Sequence, residues 1–93
     1  MTENELSKVV VDAAFAVHKA LGPGLLENVY EHCLAAELRY CGVQVEQQRA
    51  LPVYYRDQRL ELGYRLDLLV EGKVVVEVKA CDGLNDVHLA QVL

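Results

Sequence analysis

Paired cysteine motifs, long apolar runs and an excess of positive charge are all missing from this 93-residue sequence. The odd set of cysteines, Cys33, Cys41 and Cys81, has no C-x-x-C spacing, which indicates neither a disulfide framework nor a structural zinc site, so we expect reduced thiols. No apolar run approaches the roughly 18 residues that cross a bilayer, and the N-terminus lacks the basic and apolar regions of a signal peptide. We therefore expect a cytoplasmic protein with no membrane partner.

Basic residues are outnumbered, since 9 Lys and Arg stand against 14 Asp and Glu, which gives a formal net charge of -5. This balance argues against broad electrostatic attraction to nucleic acid or anionic lipid. Any binding of a polyanion must therefore be local or assisted by a metal. A hydrophobic content of 53% and a charged content of 25% are typical of one compact domain, and the sequence shows no repeats, linkers or low-complexity segments.

The clearest pattern is a pair of strands within residues 60–81, joined by a loop at residues 71–73. Apolar and polar residues alternate in both halves, with the period of two that a pleated strand requires. A three-residue loop pairs Val70 with Val74 and keeps the apolar residues on one face, whereas a two-residue loop would put Glu77 among them. The pattern therefore predicts the longer loop.

That register brings two acids together. Asp67 falls directly opposite Glu77, with Cβ atoms about 5 Å apart, and Lys79 lies two residues further along on the same face. Two carboxylates about 4 Å apart repel by roughly 4 kcal/mol at an effective dielectric of 20, so the arrangement favours a bound cation. Arg65 would pair across the strands with Lys79, and two adjacent cations suggest an anion nearby.

Two helices precede the strands. The spacing of Thr2 and Glu5 predicts a capping box, and apolar residues at intervals of three and four predict a first helix that ends at Gly22. A second helix is expected between Gly24 and Gly42. Its predicted buried face consists of Leu26, Val29, Tyr30, Cys33, Leu34, Leu38 and Cys41.

Glu27 is the acid of the second helix that we expect to border the core. It shares one side of the helix with Tyr30 and Leu34, and an acid at such a position needs a partner. The helix dipole alone is enough to explain a carboxylate in the first turn. The other charged side chains of this helix are predicted to be mainly solvated: Glu31, His32, Glu37 and Arg39.

A first strand, a break near Pro52 and a second strand that leads into a turn at residues 56–59 are predicted from the apolar residues Val43, Val45, Leu51, Val53 and Tyr55. The polar segment at residues 47–49 interrupts this apolar pattern. Tyr54 and Tyr55 could stack on bases, but tyrosines in strands are more often packing residues, which is the role we expect.

The last predicted element is a helix that follows a turn at residues 82–83. It carries apolar residues from Leu84 onward, and the pattern is still running at Leu93. His88 and Gln91 are three apart and would share one side of this helix.

The motif G-x-x-E-x-x-Y is present at residues 24–30, and the sequence resembles the small bacterial and archaeal family named after it. The segments at residues 18–24, 63–67 and 77–79 also look like that family, so the resemblance covers essentially the whole chain. The family is grouped with the PD-(D/E)xK nuclease-like superfamily. Leu66 stands where the superfamily's PD pair has proline, a common replacement that weakens the match little.

The resemblance implies an α/β fold with a restriction-endonuclease-like core: two N-terminal helices, a mixed sheet of about four strands and a C-terminal helix. Relatives continue past the equivalent of Leu93. We therefore expect residues 1–93 to form a single PD-(D/E)xK nuclease-like domain that is C-terminally incomplete, with the last helix cut short and the final strand missing.

The resemblance also implies that Asp67 and Glu77 bind a divalent metal, that Lys79 assists the attacking water and that Glu27 supplies another acid. Oxygen ligands without cysteine or paired histidines favour Mg²⁺ or Mn²⁺. A magnesium ion held by carboxylates can activate water and offset charge on phosphoryl oxygens. Contacts with the substrate are expected from Tyr30, Arg65, His88 and Gln91.

We therefore expect a metal-dependent nuclease that hydrolyses phosphodiester bonds in DNA or RNA. The alternative is a catalytically silent nuclease-like fold that acts as a binding or assembly module, and an open sheet edge would then favour a homodimer. The acids and Lys79 could also form an ion-pair ladder on a solvated sheet face. An enzyme with Cys81 as nucleophile is a weaker hypothesis, because local spacing places no histidine beside it.

Overall fold

The computed structural model describes residues 1–22, 24, 26–61, 63–81 and 84–91, with side chains described as far as residue 79. The helices are α1 (Glu3–Leu21) and α2 (Glu27–Tyr40). The strands are β1 (Val45–Ala50), β2 (Val53–Tyr55), β3 (Gln58–Leu60), β4 (Arg65–Val70), β5 (Val74–Cys81) and β6 (Leu84–Gln91). Four strands form one sheet in the order β1-β4-β5-β6, and β2 and β3 form a separate two-stranded sheet. No helix within these ranges is long and apolar enough to cross a membrane.

Helix α1 begins with the predicted capping box. The Thr2 hydroxyl accepts a hydrogen bond from the Glu5 amide at 3.2 Å, and the Glu5 carboxylate accepts one from the Thr2 amide at 2.9 Å. The helix ends before Gly22, whose φ of 74° lies in the left-handed region that glycine adopts without strain. One stripe of the helix is buried, as its periodicity indicates: Leu6, Val10, Ala13, Ala14 and Val17.

The buried face of helix α2 matches the predicted one at Tyr30, Leu34 and Leu38 but not at its other positions. Its buried residues are Tyr30, Glu31, Leu34, Ala35 and Leu38, whereas Leu26 is 72% exposed and Val29 and Cys41 are also exposed. The reason is that α2 packs against α1 and also contacts β1, β4 and β5, so its buried stripe is set by two neighbours.

The β4–β5 hairpin has the predicted register. Val70 pairs with Val74, and the Lys73 amide donates to the Val70 carbonyl at 2.9 Å, so residues 71–73 form the loop. Strand β4, which precedes this loop, is shorter than predicted, because the chain leaves the extended conformation between β3 and β4. Gly63 lies in that break with a φ of 66°, which a regular strand does not accommodate.

Strand β1 runs through the polar segment that interrupts the predicted pattern. It pairs with β4 from Val45 opposite Val70 to Ala50 opposite Arg65. Backbone pairing with β4 therefore defines this strand, although its sequence lacks alternation.

Residues 84–91 form strand β6, so the predicted C-terminal helix is wrong for this segment. The strand pairs with β5 along its whole length, from Leu84 opposite Cys81 to Gln91 opposite Val74. A short apolar run fits the periodicity of a helix or of a strand. Pairing with β6 satisfies the backbone groups on the side of β5 that does not face β4. A mixed sheet is expected, but all described pairings in the four-stranded sheet are antiparallel. The connections between β4, β5 and β6 are too short to join parallel strands.

The core lies between the two helices and one face of the sheet. Both helices contribute their buried stripes, and the strands contribute alternate residues: Leu68, Val70, Val74, Val76 and Val78. The intervening residues of β4 and β5, including Asp67 and Glu77, are half-buried. Two helices over a sheet form the α/β arrangement that the sequence predicts.

Candidate active site

Asp67 ends the ladder between β4 and β5. The described pairs stop at Leu68 opposite Val76, one step before Asp67 would face Glu77. Beyond that point Asp67 Oδ2 accepts a hydrogen bond from the Val78 amide at 2.8 Å. A main-chain donor therefore fixes one oxygen of the carboxylate, which retains further lone pairs for other partners.

Tyr64 contacts one of the two acids, Glu77. Its hydroxyl donates to Glu77 Oε1 at 3.3 Å, and its side chain is 46% exposed. The negative charge of Glu77 is the main cause that raises the pKa of Tyr64 above its ordinary value, followed by desolvation, the hydrogen bond to Glu77 and the charge of Asp67. Both carboxylates therefore act on the same phenol.

Glu31 is buried, with only 7% of its surface exposed, so the prediction that it is solvated is wrong. Both of its oxygens have donors from β1. Gln48 Nε2 donates to Glu31 Oε1 at 2.8 Å, and Gln47 Nε2 donates to Glu31 Oε2 at 3.2 Å. These two amides satisfy the carboxylate where helix α2 covers the sheet, which explains how the acid tolerates burial.

Gln48 links the buried Glu31 to Asp67. The pairs on either side of it, Gln47 with Leu68 and Arg49 with Leu66, place Gln48 opposite Asp67. Its amide donates to Asp67 Oδ1 at 3.4 Å as well as to Glu31. Because its backbone has a φ of 52°, a conformation that costs a non-glycine residue about 1–3 kcal/mol, the neighbouring contacts must hold it in place.

Arg65 and Lys79 do not pair with each other in the described ladders. Arg65 lies opposite Ala50 of β1 and donates from Nη1 to the Gln48 carbonyl at 3.2 Å. Lys79 is exposed on β5, two residues from Glu77, and its ladder partner is Asp86 of β6. Arg65 therefore supports the backbone of Gln48, whereas Lys79 lies on the same strand as Glu77.

Glu27 and Tyr30 lie at the start of α2. The Glu27 side chain is exposed, and the acid that the structure connects to Asp67 is Glu31, one turn later. Tyr30 is fully buried, and its hydroxyl donates to the Ala14 carbonyl of α1 at 3.3 Å. A contact between that hydroxyl and a substrate would require the two helices to separate.

Comparison with known proteins assigns the family. The sequence model of the PD-(D/E)XK nuclease superfamily matches residues 4–93. The chain belongs to this superfamily. Neither the curated proteins nor the solved structures gave a match. The superfamily assignment agrees with the acids on β4 and β5 and the lysine that follows on β5.

His88 and Gln91 lie on β6, so the expectation that they share one side of a helix is wrong. His88 is the residue directly across the ladder from Glu77, and Gln91 lies across from Val74 at the other end of the strand. Their side chains are outside the described residues. The backbone thus brings His88 beside the superfamily's acidic strand and separates Gln91 from it.

The donor set suits a cation that needs few protein ligands. Within the described part of the chain, no group of three or more His, Cys, Asp or Glu residues is placed to hold a metal ion. Asp67 and Glu77 offer carboxylate oxygens; Asp67 accepts from the Val78 amide and the Gln48 side chain, and Glu77 accepts from the Tyr64 hydroxyl. Magnesium is commonly held by one or two carboxylates and keeps several waters, and members of the superfamily generally use divalent metals. The residues present therefore fit such an ion.

Proposed function

We propose that this superfamily member is a metal-dependent nuclease of the GxxExxY family, which hydrolyses phosphodiester bonds in DNA or RNA in the cytoplasm. The observation that carries the proposal is the hydrogen bond of 2.8 Å from the Val78 amide to Asp67 Oδ2, which joins Asp67 to β5 between Glu77 and Lys79. Two acids and a lysine so arranged match the chemistry of phosphodiester hydrolysis.

In this proposal Asp67 and Glu77 hold Mg²⁺ or Mn²⁺, which when bound would supply an activated water and positive charge facing the phosphoryl oxygens. The Val78 amide and the Gln48 side chain hold Asp67, and the Tyr64 hydroxyl orients Glu77. The Lys79 ammonium donates a hydrogen bond to the attacking water or to a phosphate oxygen. The roles of Glu27, Tyr30, Arg65, His88 and Gln91 stay predictions from the resemblance.

Metal titration and cleavage assays test the proposal together. Isothermal titration should show Mg²⁺ or Mn²⁺ binding that is lost in Asp67→Asn and Glu77→Gln. Lys79→Ala should keep metal binding but cleave a labelled strand about 10²- to 10⁴-fold more slowly, as expected for a group that assists proton transfer.

Two exposed residues of α1 provide matched controls. Lys8 and Asp12 form an ion pair at 3.1 Å on the surface of that helix. Lys8→Ala and Asp12→Asn should therefore bind metal and cleave nucleic acid like the wild type. Equal metal binding by the wild type and Asp67→Asn would contradict the proposal.

A second candidate function is a catalytically silent module that assembles through the sheet. The observation that favours it is the position of β6 at the end of the strand order, with β5 as its partner among the described strands. The unpaired backbone groups along such an edge can accept a strand from a second copy of the chain.

A further inference from the structure

The two-stranded sheet of β2 and β3 forms an arm beside the candidate active site. Arg56 and Asp57 have φ values of 48° and 62°, as the central residues of a type I′ hairpin turn require. The strands are paired with Val53 opposite Leu60 and Tyr54 opposite Arg59. This hairpin is separate from the four-stranded sheet.

Two tyrosines of the arm are exposed to solvent, so the prediction that they are packing residues is wrong. Tyr54 and Tyr55 are each 63% exposed. Because successive residues of a strand point to opposite faces, the two rings lie on opposite faces of the arm. The Arg56 guanidinium lies 5.7 Å from the centre of the Tyr55 ring, whereas Tyr54 shares its face with Arg59.

A cavity of about 110 Å³ separates this arm from the acids. Its lining includes the polar residues Arg59, Glu61 and Tyr64, and the other lining residues are Ala50, Leu51, Pro52, Leu60 and Gly63. The cavity wall thus includes Arg59, which lies opposite Tyr54 on the arm, and Tyr64, which donates to Glu77 of the acid site.

We propose that the Tyr54 face of the arm and the adjoining cavity form a subsite for an unpaired nucleobase of a single-stranded nucleic acid. This inference rests on the proposed nuclease function, since it names the form of substrate that the acid site receives. The exposed Tyr54 ring stacks on a base, and stacking of this kind does not depend on sequence because every base has a π-face.

Arg59 supplies the positive charge of the subsite. It is ion-paired with Glu61 at 2.8 Å, but both side chains are more than half exposed, at 59% and 77%. Water screens such an exposed pair, so a phosphate oxygen can compete with the carboxylate for the guanidinium. With a net charge of -5, the chain needs local contacts of this kind, and the paired bases of a duplex offer no free ring face to Tyr54.

Fluorescence anisotropy with a labelled oligo-dT strand of about 12 nucleotides tests the subsite, because that length is within the range that one small binding domain covers. The measurement is made with Mg²⁺ in the Lys79→Ala background, where cleavage of the strand is slowed. Tyr54→Ala should weaken binding by between about 5-fold and about 150-fold, the loss expected for one stacked base. Tyr54→Phe, which keeps the ring, should bind like the parent.

Tyr55→Ala is the matched control, since Tyr55 is as exposed as Tyr54 but lies on the other face. It should leave binding unchanged, and an oligo-dT/oligo-dA duplex should bind more weakly than the single strand. Equal losses from Tyr54→Ala and Tyr55→Ala, no loss from Tyr54→Ala, tighter binding of the duplex, or no binding of the single strand would each overturn the inference.

Cleavage assays separate this inference from the proposed function. If the otherwise wild-type chain cleaves the strand and Tyr54→Ala cleaves it equally well, the subsite is wrong and the nuclease proposal stands. If binding depends on Tyr54 but Mg²⁺ and Mn²⁺ support no cleavage, the subsite stands and the nuclease proposal is wrong.

Discussion

Tyr64 is the residue whose ionisation reports on both acids. The charges of Glu77 and Asp67 raise its pKa, so a cation that neutralises them should lower that pKa toward its ordinary value of 10.0. We therefore expect added Mg²⁺ to lower the Tyr64 pKa, measured as the difference in ultraviolet phenolate titration between the wild type and Tyr64→Phe. A Tyr64 pKa that does not respond to the metal would contradict the proposed site.

Glu77→Gln provides the control for this titration. It removes the charge that contributes most to the raised pKa of Tyr64, so the pKa should be lower without metal and should respond less to Mg²⁺. The same shift in the pKa of Tyr64 determines how stability depends on pH. A pKa raised on folding contributes stability that is present below about pH 10 and is lost as the pH rises through the folded value.

Gln48 combines a strained backbone with a partly buried hydrogen bond, and these two features can be separated by substitution. Gln48→Ala removes a donor from buried Glu31 and should lower the free energy of unfolding by about 1–3 kcal/mol. Gln48→Gly loses the same donor but relieves the φ of 52°, so it should cost about 1 kcal/mol less than the alanine variant. Urea unfolding measures both values.

Gln47 is the matched control, because it donates to the same carboxylate from the adjacent position. Among the described residues, those with positive φ include Gln48 but not Gln47. Glycine should therefore cost more than alanine at position 47, by about 0.5–1 kcal/mol, and less than alanine at position 48. The same order at both positions would show that the strained backbone of Gln48 has no energetic consequence.

The first two acids of α2 show where residue-level prediction from the sequence fails. Glu27 and Glu31 are four apart and lie on one side of the helix, so periodicity cannot decide which of them is buried. Burial depends on partners, and the amides that satisfy Glu31 come from Gln47 and Gln48. Those glutamines lie in a segment in which apolar and polar residues do not alternate. The sequence therefore does not indicate that their side chains face α2.

At the scale of elements, α1 depends on its capping box. Hydrogen bonds from the Thr2 backbone and side chain lower the pKa of Glu5 below 4.5, so their contribution to stability is present above about pH 4.5 and is lost as the pH falls through the lowered value. Thr2→Ala should lower the free energy of unfolding by about 0.5–2 kcal/mol at neutral pH. Thermal unfolding followed by circular dichroism measures the loss.

Thr2→Ser is the control for the capping box, because serine keeps the hydroxyl that accepts from the Glu5 amide. It should unfold like the wild type at each pH. The difference in stability between Thr2→Ala and the wild type should shrink as the pH is lowered below 4.5, because Glu5 becomes protonated in both proteins. A difference that is independent of pH would contradict a reciprocal box.

Elements could be predicted where one local pattern determines them. The capping box and periodicity identify α1, and alternation fixes the register of the β4–β5 hairpin, with Val70 opposite Val74. The rest depends on pairing between distant segments. Segment β1 forms a strand because it pairs with β4. Segment β6 forms a strand because it pairs with β5, although the sequence of β6 fits a helix equally well.

At the scale of the whole molecule, the superfamily could be identified from motifs in the sequence, because it depends on a few residues at conserved order along the chain, and the match over residues 4–93 confirms it. The arm of β2 and β3 could not be placed in the same way. Tyr54 and Tyr55 have the composition of a packed strand, and only the architecture shows that they are exposed. The structure is therefore needed to infer a function for exposed side chains, whereas the sequence is enough to assign the superfamily.

The end of the sheet leads to a prediction for the assembled state. In the order β1-β4-β5-β6, β6 has β5 on one side, and its other side can pair with β6 of a second copy in a symmetric antiparallel arrangement. We expect size-exclusion chromatography with light scattering to show a dimer whose fraction rises with concentration. Ala90→Lys should shift this equilibrium toward monomer, because a lysine on an edge strand opposes pairing and the two symmetric copies would bring like charges together.

Ala50→Lys makes the same substitution on β1, the strand at the opposite end of the sheet, and should leave the dimer unchanged. The pair of variants distinguishes pairing through β6 from a general effect of added positive charge on an acidic chain. Equal dissociation by both lysines would assign the effect to charge alone, and dissociation by Ala50→Lys alone would place the contact on β1. A monomer at every concentration would exclude strand pairing between copies.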